Sequence, residues 1–251
     1  PLKWNAEAAR LGVRYRVFCA SLADVFDNEA PQRWRQNLMS LVADTPHLDW
    51  LYLTKRIGNA GKMLRDASMH DARLLTAHDH YAAPDNLWIG ATVCNQEEAD
   101  RDIPKLLQVP AAKRFLSIEP LLGPVDLTQL LYHPCPRAHL AGIDPDTGTQ
   151  ECCKACDYSG ISEELGIDWI IAGGESGSDA RPMHPDWARS LRDQCQAAGV
   201  PFLFKQWGEF FPKSNHPGLT EPNQNPNLMI RVGKKAAGRL LDGRTWDEVP
   251  A

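Results

Sequence analysis

A segment in the middle of the chain carries side chains typical of a zinc site. Cys135 and His139 form a C-x-x-x-H pair, and Cys153 and Cys156 form a C-x-x-C pair. Two such pairs supply four ligands to a tetrahedral structural zinc ion, which would also stabilise a loop without a core. Cys152 stands beside Cys153, so either thiol could be the ligand. The alternative is a flexible insertion with free cysteines.

A second polar group lies in the glycine-rich loop Gly173-Gly174-Glu175-Ser176, which follows an apolar run. Backbone N–H groups of such a loop near a helix start favour an anion, and Arg181 could add a side-chain donor. Glu175 suits an ammonium or hydroxyl group better than a phosphate, so we expect a zwitterionic ligand. The alternative is a plain turn.

Four charged residues are candidate catalytic groups because each follows an apolar, strand-like run. Glu119 could serve as a general base, or it could pair with Lys55 or Arg56. Lys205 could hold an anion, or it could pair with Glu119 or Glu175. The four candidates are Asp24, Lys55, Glu119 and Lys205.

The remaining polar residues at these positions are candidate ligand contacts, and Trp207 among them could stack on a planar ring. We expect a small-molecule or nucleotide-like ligand. The candidate contacts are Thr54, Arg56, Gly173, Gly174, Glu175, Ser176, Arg181, Gln206 and Trp207.

The elements that must position these residues are short apolar strands alternating with helical patterns. This alternation predicts a parallel sheet with right-handed crossovers. Polar residues at the ends of at least five strands favour a (βα) barrel or partial barrel over an open doubly wound sheet. We therefore predict α/β architecture with at least six parallel strands, at Tyr15–Ala20, Trp50–Leu53, Leu87–Ala91, Arg114–Ile118, Asp168–Ala172 and Pro201–Phe204.

Helix signals lie between most of these strands. Asn95 followed by Glu98 is a capping pattern that predicts a helix start, and Pro104 is expected to kink or split that helix. Pro185 and Gly199 mark the two ends of another helix. On that helix, Cys195 is expected to face the core.

The chain divides by composition into two barrel segments separated by an insertion. Residues 1–131 form the first part of the barrel, residues 132–162 the Cys/His-rich insertion, and residues 163–251 the last part with the C-terminal tail. Trp50, Trp88 and Trp169 are expected to pack in the core or at its rim. The end of the chain, Val249-Pro250-Ala251, is expected to be frayed.

Composition limits the functions that are possible. The 251 residues carry a net charge of −5, which argues against broad nucleic-acid binding. No apolar run is long enough for a membrane span, and no signal peptide is visible. Seven cysteines, an odd number, indicate a reducing compartment, and we expect a cytoplasmic protein.

Five blocks of the sequence, in order, resemble the bacteriophage three-cysteine-motif family of largely unknown function, the phage gp-thirty-seven/gp-sixty-eight type. The resemblance covers nearly the whole chain outside the insertion. The blocks are residues 17–26, 53–56, 114–125, 173–183 and 204–209.

The resemblance implies a phage or prophage protein acting in the cytoplasm of a bacterial host. Members of that family begin with three close cysteines that resemble the cluster-binding loop of radical S-adenosylmethionine enzymes, which are partial (βα) barrels. No cysteine precedes Cys19, so we expect a fragment, or a chain without this segment. The iron–sulfur cluster and S-adenosylmethionine are expected only where that segment is present.

The Gly173-Gly174-Glu175 loop is similar to the adenosylmethionine-binding loop of those enzymes, although there it follows an early strand and here the fifth. The leading hypothesis is thus an enzyme-like barrel related to radical enzymes. The alternative is a non-catalytic, zinc-stabilised protein that binds a phage or host partner.

Overall fold

The computed structural model describes residues 1–19, 23–77, 80–131, 166–213 and 228–250. Six parallel strands form one curled sheet in which the order of the strands follows the order of the chain. Each crossover therefore leads to the neighbouring strand, as in a barrel that stays open. The predicted α/β partial barrel is confirmed, with β1 (Tyr15–Cys19), β2 (Leu48–Thr54), β3 (Leu87–Thr92), β4 (Lys113–Ile118), β5 (Trp169–Gly173) and β6 (Phe202–Gln206).

The helices alternate with these strands and cover the outer side of the sheet. A short 3-10 helix at Ala72–Leu74 follows the third helix of the chain. Strand side chains such as Trp50 and Tyr52 are buried in the same core as helix residues such as Leu64 and Leu191. The helices are α1 (Leu2–Leu11), α2 (Gln32–Ala43), α3 (Ile57–Ser68), α4 (Gln96–Leu107), α5 (Pro185–Ala198) and the single turn α6 (Lys234–Ala237).

The predicted helix ends are present, but Pro104 does not divide its helix. The Asn95 side chain caps α4 by accepting a hydrogen bond from the backbone N–H of Glu98 at 2.9 Å. α4 continues as one element through Pro104 to Leu107. Ile103 and Leu106 are fully buried, and tertiary burial of this apolar face stabilises the last turn despite the lost backbone donor.

The concave face of the sheet has its own small aromatic cluster. Trp88, Phe115 and Trp169 pack there with Leu51 and Ile171. Since side chains alternate between the two faces of a strand, this cluster lies opposite the helices. Trp50, by contrast, is buried on the helical side. The expectation that these tryptophans pack in the core is confirmed.

The C-terminal tail is packed against the sheet, so the expectation that Val249 and Pro250 fray is wrong. The carbonyl oxygen of Glu248 accepts a hydrogen bond from Trp169 Nε1 at 2.9 Å, and that of Pro250 accepts one from Arg16 Nη2 at 3.0 Å. Arg16 and Trp169 belong to β1 and β5, so the tail contacts strands from both halves of the sheet. These long-range bonds hold residues that look featureless in sequence.

A second, two-stranded sheet follows β6. It pairs β7 (Phe210–Pro212) with β8 (Met229–Arg231) in antiparallel register. None of the helices in the described ranges is long and apolar enough to cross a lipid bilayer.

Candidate functional site

The carboxyl edge of the six-stranded sheet collects most of the candidate residues. In a parallel sheet all strands end at the same edge, where α/β proteins place their ligands. β2 ends at Thr54 and leads into Lys55, β4 leads into Glu119, and β5 ends at Gly173. β6 carries Lys205 one residue before its end. The site is therefore assembled from the carboxyl ends of four strands, β2, β4, β5 and β6, and from Asp24.

Glu119 and Lys205 form an ion pair at this edge. Lys205 Nζ lies 3.0 Å from Glu119 Oε2, and the Ser117 hydroxyl lies 3.4 Å from the same oxygen. The carboxylate is 15% exposed and the lysine side chain 57% exposed. The negative charge is thus held in the wall of the site, while the positive charge reaches into solvent.

Two irregularities of the backbone make this pair possible. Ala172 pairs with Phe204 and Gly173 pairs with Gln206, so Lys205 is an extra residue in β6 at a bulge. At the rim of a barrel, a bulge commonly changes the direction in which a side chain points. A Cβ atom on Gly173 would lie 2.6 Å from Glu119 Oε1. The glycine therefore leaves the space in which the carboxylate meets the lysine.

A second ion pair fixes the glycine-rich loop. Arg181 Nε and Nη2 each lie 2.8 Å from a carboxylate oxygen of Glu175, and the Arg181 backbone N–H donates to the same group. These bonds lower the pKa of Glu175 to about 2. A Cβ on Gly174 would overlap the backbone carbonyl of Trp207, so the loop lies tightly on the segment that follows β6. Glu175 thus holds the loop in shape.

Asp24 organises the turn that follows β2. Its carboxylate accepts hydrogen bonds from Thr54 Oγ1 at 2.8 Å and from the Lys55 backbone N–H at 3.1 Å. It also accepts one from the Phe26 backbone N–H at 2.9 Å, and Arg56 Nη1 approaches to 3.4 Å. Both carboxylate oxygens are occupied, so Asp24 acts here by positioning Lys55 and Arg56.

The remaining predicted contacts divide into rim and core residues. Gln206 Nε2 donates to the Ser176 hydroxyl at 3.2 Å, so these two side chains link the rims of β5 and β6. Trp207 is 1% exposed, and its indole N–H donates to the carbonyl of Leu240. With its ring packed against Phe204, Trp207 is a core residue in this structure.

Cys94 was missed as a site residue by the sequence reasoning. It follows β3 at the same edge, where it interacts electrostatically with Lys55 and Arg181. Its pKa is raised to about 11, first by burial and then by the neighbouring Glu98. The available signal was its position just beyond an apolar strand. Cys94 is therefore a protonated thiol, and it contributes a polarisable but uncharged group to this edge of the sheet.

The described residues do not supply ligands for an iron–sulfur cluster, which needs several thiolates close together. Cys19, Cys94 and Cys195 are free thiols, and burial raises their pKa values to about 11, 11 and 12. Within the described ranges no three His, Cys, Asp or Glu side chains form a group that could hold a metal ion.

The predicted zinc ligands lie in the insertion. Cys135, His139, Cys153 and Cys156 all lie outside the described residues. The zinc site stays a prediction from their spacing.

Fold and site together define a partial (βα) barrel with charged side chains gathered at its carboxyl edge. A family model described as a protein of unknown function (DUF5131) matches residues 1–250, and the chain belongs to this family. No curated protein and no solved structure shows significant similarity to the chain. The family description gives no substrate, cofactor or origin.

Proposed function

We propose that the carboxyl edge of the half barrel binds a small zwitterionic or nucleotide-like molecule and that the protein is an enzyme. The observation that carries this proposal is the Glu119–Lys205 ion pair, built at the end of the sheet where (βα) barrels place their active sites. Glu119 follows β4 and Lys205 lies in β6, and Gly173 between them leaves the space for the carboxylate.

The Glu119–Lys205 pair offers one negative and one positive group, so it is complementary to a ligand that carries both an ammonium and a carboxylate. An ammonium group of the ligand would take the place of Lys205 beside Glu119, and a carboxylate of the ligand would bind the displaced lysine. The exchange keeps both charged groups paired in charge-assisted hydrogen bonds, which avoids leaving a half-buried charge alone. Lys205 is exposed enough to swing aside, whereas the Glu119 carboxylate is largely buried.

The neighbouring residues have positioning roles in this proposal. Glu175 and Arg181 hold the glycine-rich loop that follows β5. Ser176 and Gln206 lie on the rim as neutral hydrogen-bonding groups. Glu119 is the candidate general base because its carboxylate has the freedom to exchange partners, whereas the oxygens of Asp24 are already occupied.

The more specific hypothesis is kinship with radical S-adenosylmethionine enzymes of phage origin. The half barrel supports this hypothesis, as does the resemblance of the Gly173-Gly174-Glu175 loop to the adenosylmethionine-binding loop of those enzymes. The structure of S-adenosylmethionine also agrees with the ligand proposed for the site. S-Adenosylmethionine joins an amino-acid zwitterion to a nucleoside, which is the combination expected from the site. In this hypothesis the ammonium and carboxylate bind Glu119 and Lys205.

The alternative function is that of a non-catalytic binding protein stabilised by zinc and directed at a phage or host partner. It is favoured by the two Cys/His pairs of the insertion, whose four ligands would leave no open position on the metal. The two proposals differ in whether the carboxyl edge binds and converts a small molecule.

Thermal unfolding with added ligands tests the proposal. S-Adenosylmethionine, S-adenosylhomocysteine, methionine and AMP are each added at millimolar concentration to the wild type and to Glu119→Gln. A ligand at about 100 times its Kd stabilises the folded state by about 2.7 kcal/mol, which raises the Tm by several degrees. We expect the largest rise with S-adenosylmethionine and a smaller one in the variant.

The same samples distinguish the two functions. Chromatography of the ligand after incubation detects conversion. If none of the four ligands raises the Tm of the wild type, the proposed site is wrong. If a ligand binds but stays unchanged under all conditions, the non-catalytic alternative gains support.

A further inference from the structure

A polar cavity lies between the first turn of α3 and the helix α4. It has a volume of about 320 Å³ and is lined by Lys55, Arg56, Arg101 and Lys105, with Asp102 as the single carboxylate in its wall. Neither Glu119 nor Lys205 borders it, so the cavity is separate from that ion pair, although Lys55 and Arg56 of the carboxyl edge line it.

The cationic groups on the α4 side face the solvent, and their acidic partner lies behind them. Arg101 Nη2 is 2.6 Å and Lys105 Nζ 2.9 Å from the same residue, Asp102. The Asp102 side chain is 8% exposed, against 56% for Arg101 and 45% for Lys105. One carboxylate therefore orients two cations and neutralises only one of them.

The α3 side adds two further positive charges. Arg56 pairs with Asp24 and Asp27, at 3.4 Å and 2.9 Å, and its guanidinium is 45% exposed. Lys55 forms no salt bridge with any residue in the described part of the chain. Four cations thus face three carboxylates, Asp24, Asp27 and Asp102, and Lys55 is the cation without a salt bridge among the described residues.

The helix start at this cavity lacks a capping group. Arg56 is the N-cap residue of α3 and makes no side-chain capping bond. The first-turn amides of Ile57 and Gly58 have no acceptor among the described residues. A helix N-terminus carries partial positive charge, so cations placed beside it are unfavourable unless an anion is also present.

We propose that this cavity binds the phosphoryl groups of a small molecule, a di- or triphosphate. Four cations and the free amides supply donors from two directions, and the volume lies at the lower end of the range of ligand pockets. The net charge of −5 over the chain opposes an extended nucleic-acid interface and favours a compact polyanion.

Isothermal titration calorimetry with pyrophosphate at low ionic strength tests the site. Lys55→Gln removes a cation without breaking an internal ion pair, and we expect it to weaken binding about tenfold. Gly58→Glu places a carboxylate in the cavity, where a Cβ would meet only Lys105 Cδ at 3.8 Å. We expect this variant to fold and to lose pyrophosphate binding.

The matched control is Lys62→Gln, on the same helix, whose ammonium pairs with Asp66 and does not line the cavity. It should bind pyrophosphate as the wild type does. No binding to the wild type, or equal loss in all three variants, would overturn the proposal. Tight binding of a single-stranded oligonucleotide with no binding of pyrophosphate would overturn it in favour of a nucleic-acid surface.

Discussion

Lys205 Nζ lies 3.0 Å from Glu119 Oε2, and the two residues meet across the end of the intervening strand β5. Gly173 is the β5 residue at this point, and its missing side chain leaves the space for the carboxylate. The ion pair thus depends on a glycine in one strand and a bulge in the next.

Substitutions at the two consecutive glycines should have different effects. In Gly173→Ala the new Cβ would meet Glu119 Oε1 at 2.6 Å, the mobile end of a side chain, so the carboxylate moves and the ion pair is lost. In Gly174→Ala it would overlap the backbone of Trp207, which cannot move as easily. We expect losses of about 1 kcal/mol and about 3 kcal/mol, respectively, in urea unfolding.

The control for these variants is Gly61→Ala in α3. A Cβ there meets no atom within 4 Å, so the substitution should stabilise the helix by about 0.5–1 kcal/mol. A larger loss for Gly173→Ala than for Gly174→Ala would contradict the account of this edge.

The carboxyl group of Glu175 should titrate far below a normal glutamate. Arg181 lowers its pKa from 4.5 to about 2, so the stabilisation from this pair is present above pH 4.5 and is lost as the pH falls towards 2. Because the Arg181 side chain is 60% exposed, solvent screens the pair and we expect its contribution to stability to be small.

NMR titration of the Glu175 carboxyl carbon measures this pKa. Arg181→Met should raise it towards 4.5, whereas Arg189→Met, which removes a partner of Asp242, should leave it unchanged. A Glu175 that titrates normally in the wild type would show that the ion pair does not form.

Asp24 is expected to be a stability residue. Asp24→Asn replaces an acceptor with an amide that would face the Lys55 N–H or the Thr54 hydroxyl, so a donor loses its partner. We expect a loss of about 1–3 kcal/mol in urea unfolding. The control Asp66→Asn, an exposed partner of Lys62 alone, should cost less than about 0.5 kcal/mol. Equal effects would refute the positioning role.

The insertion should bind one zinc ion. Elemental analysis of the purified protein should find about one zinc per chain, since two Cys/His pairs form one tetrahedral site. The double variant Cys153→Ser, Cys156→Ser should lose the metal, and Cys195→Ala, in the buried face of α5, should keep it. Metal-free wild-type protein of unchanged stability would argue against the site.

Four of the strands, β2 to β5, were predictable because they are buried on both faces. The apolar run at Trp50–Leu53 lies inside the observed strand Leu48–Thr54, and the run at Leu87–Ala91 differs from its strand by one residue. The helix α1 was not predicted, and Ala8 is the one residue in it that is buried. Apolar runs identify the strands that the core covers on both faces, and β1, which has no buried residue, was predicted from its residue types.

The location of the site could be predicted from the sequence, but the ion-pair partner of Glu119 could not. Polar residues after strands indicated the carboxyl edge, and the sequence left Lys55, Arg56 and Lys205 open as partners of Glu119. The bulge at Lys205 decides between them, and a bulge has no clear sequence signal. Trp207 belongs to the core because its indole bonds to Leu240, a contact that forms only in the folded chain.

The most direct test of the proposed site is calorimetric titration of S-adenosylmethionine into the wild type, Glu119→Gln and Lys205→Met. We predict binding to the wild type and a loss of about tenfold or more in affinity for each variant, because each removes one charge-assisted contact of the zwitterion. Lys62→Gln should bind as the wild type does. Equal affinity in all four proteins would contradict the claim that Glu119 and Lys205 form the binding site.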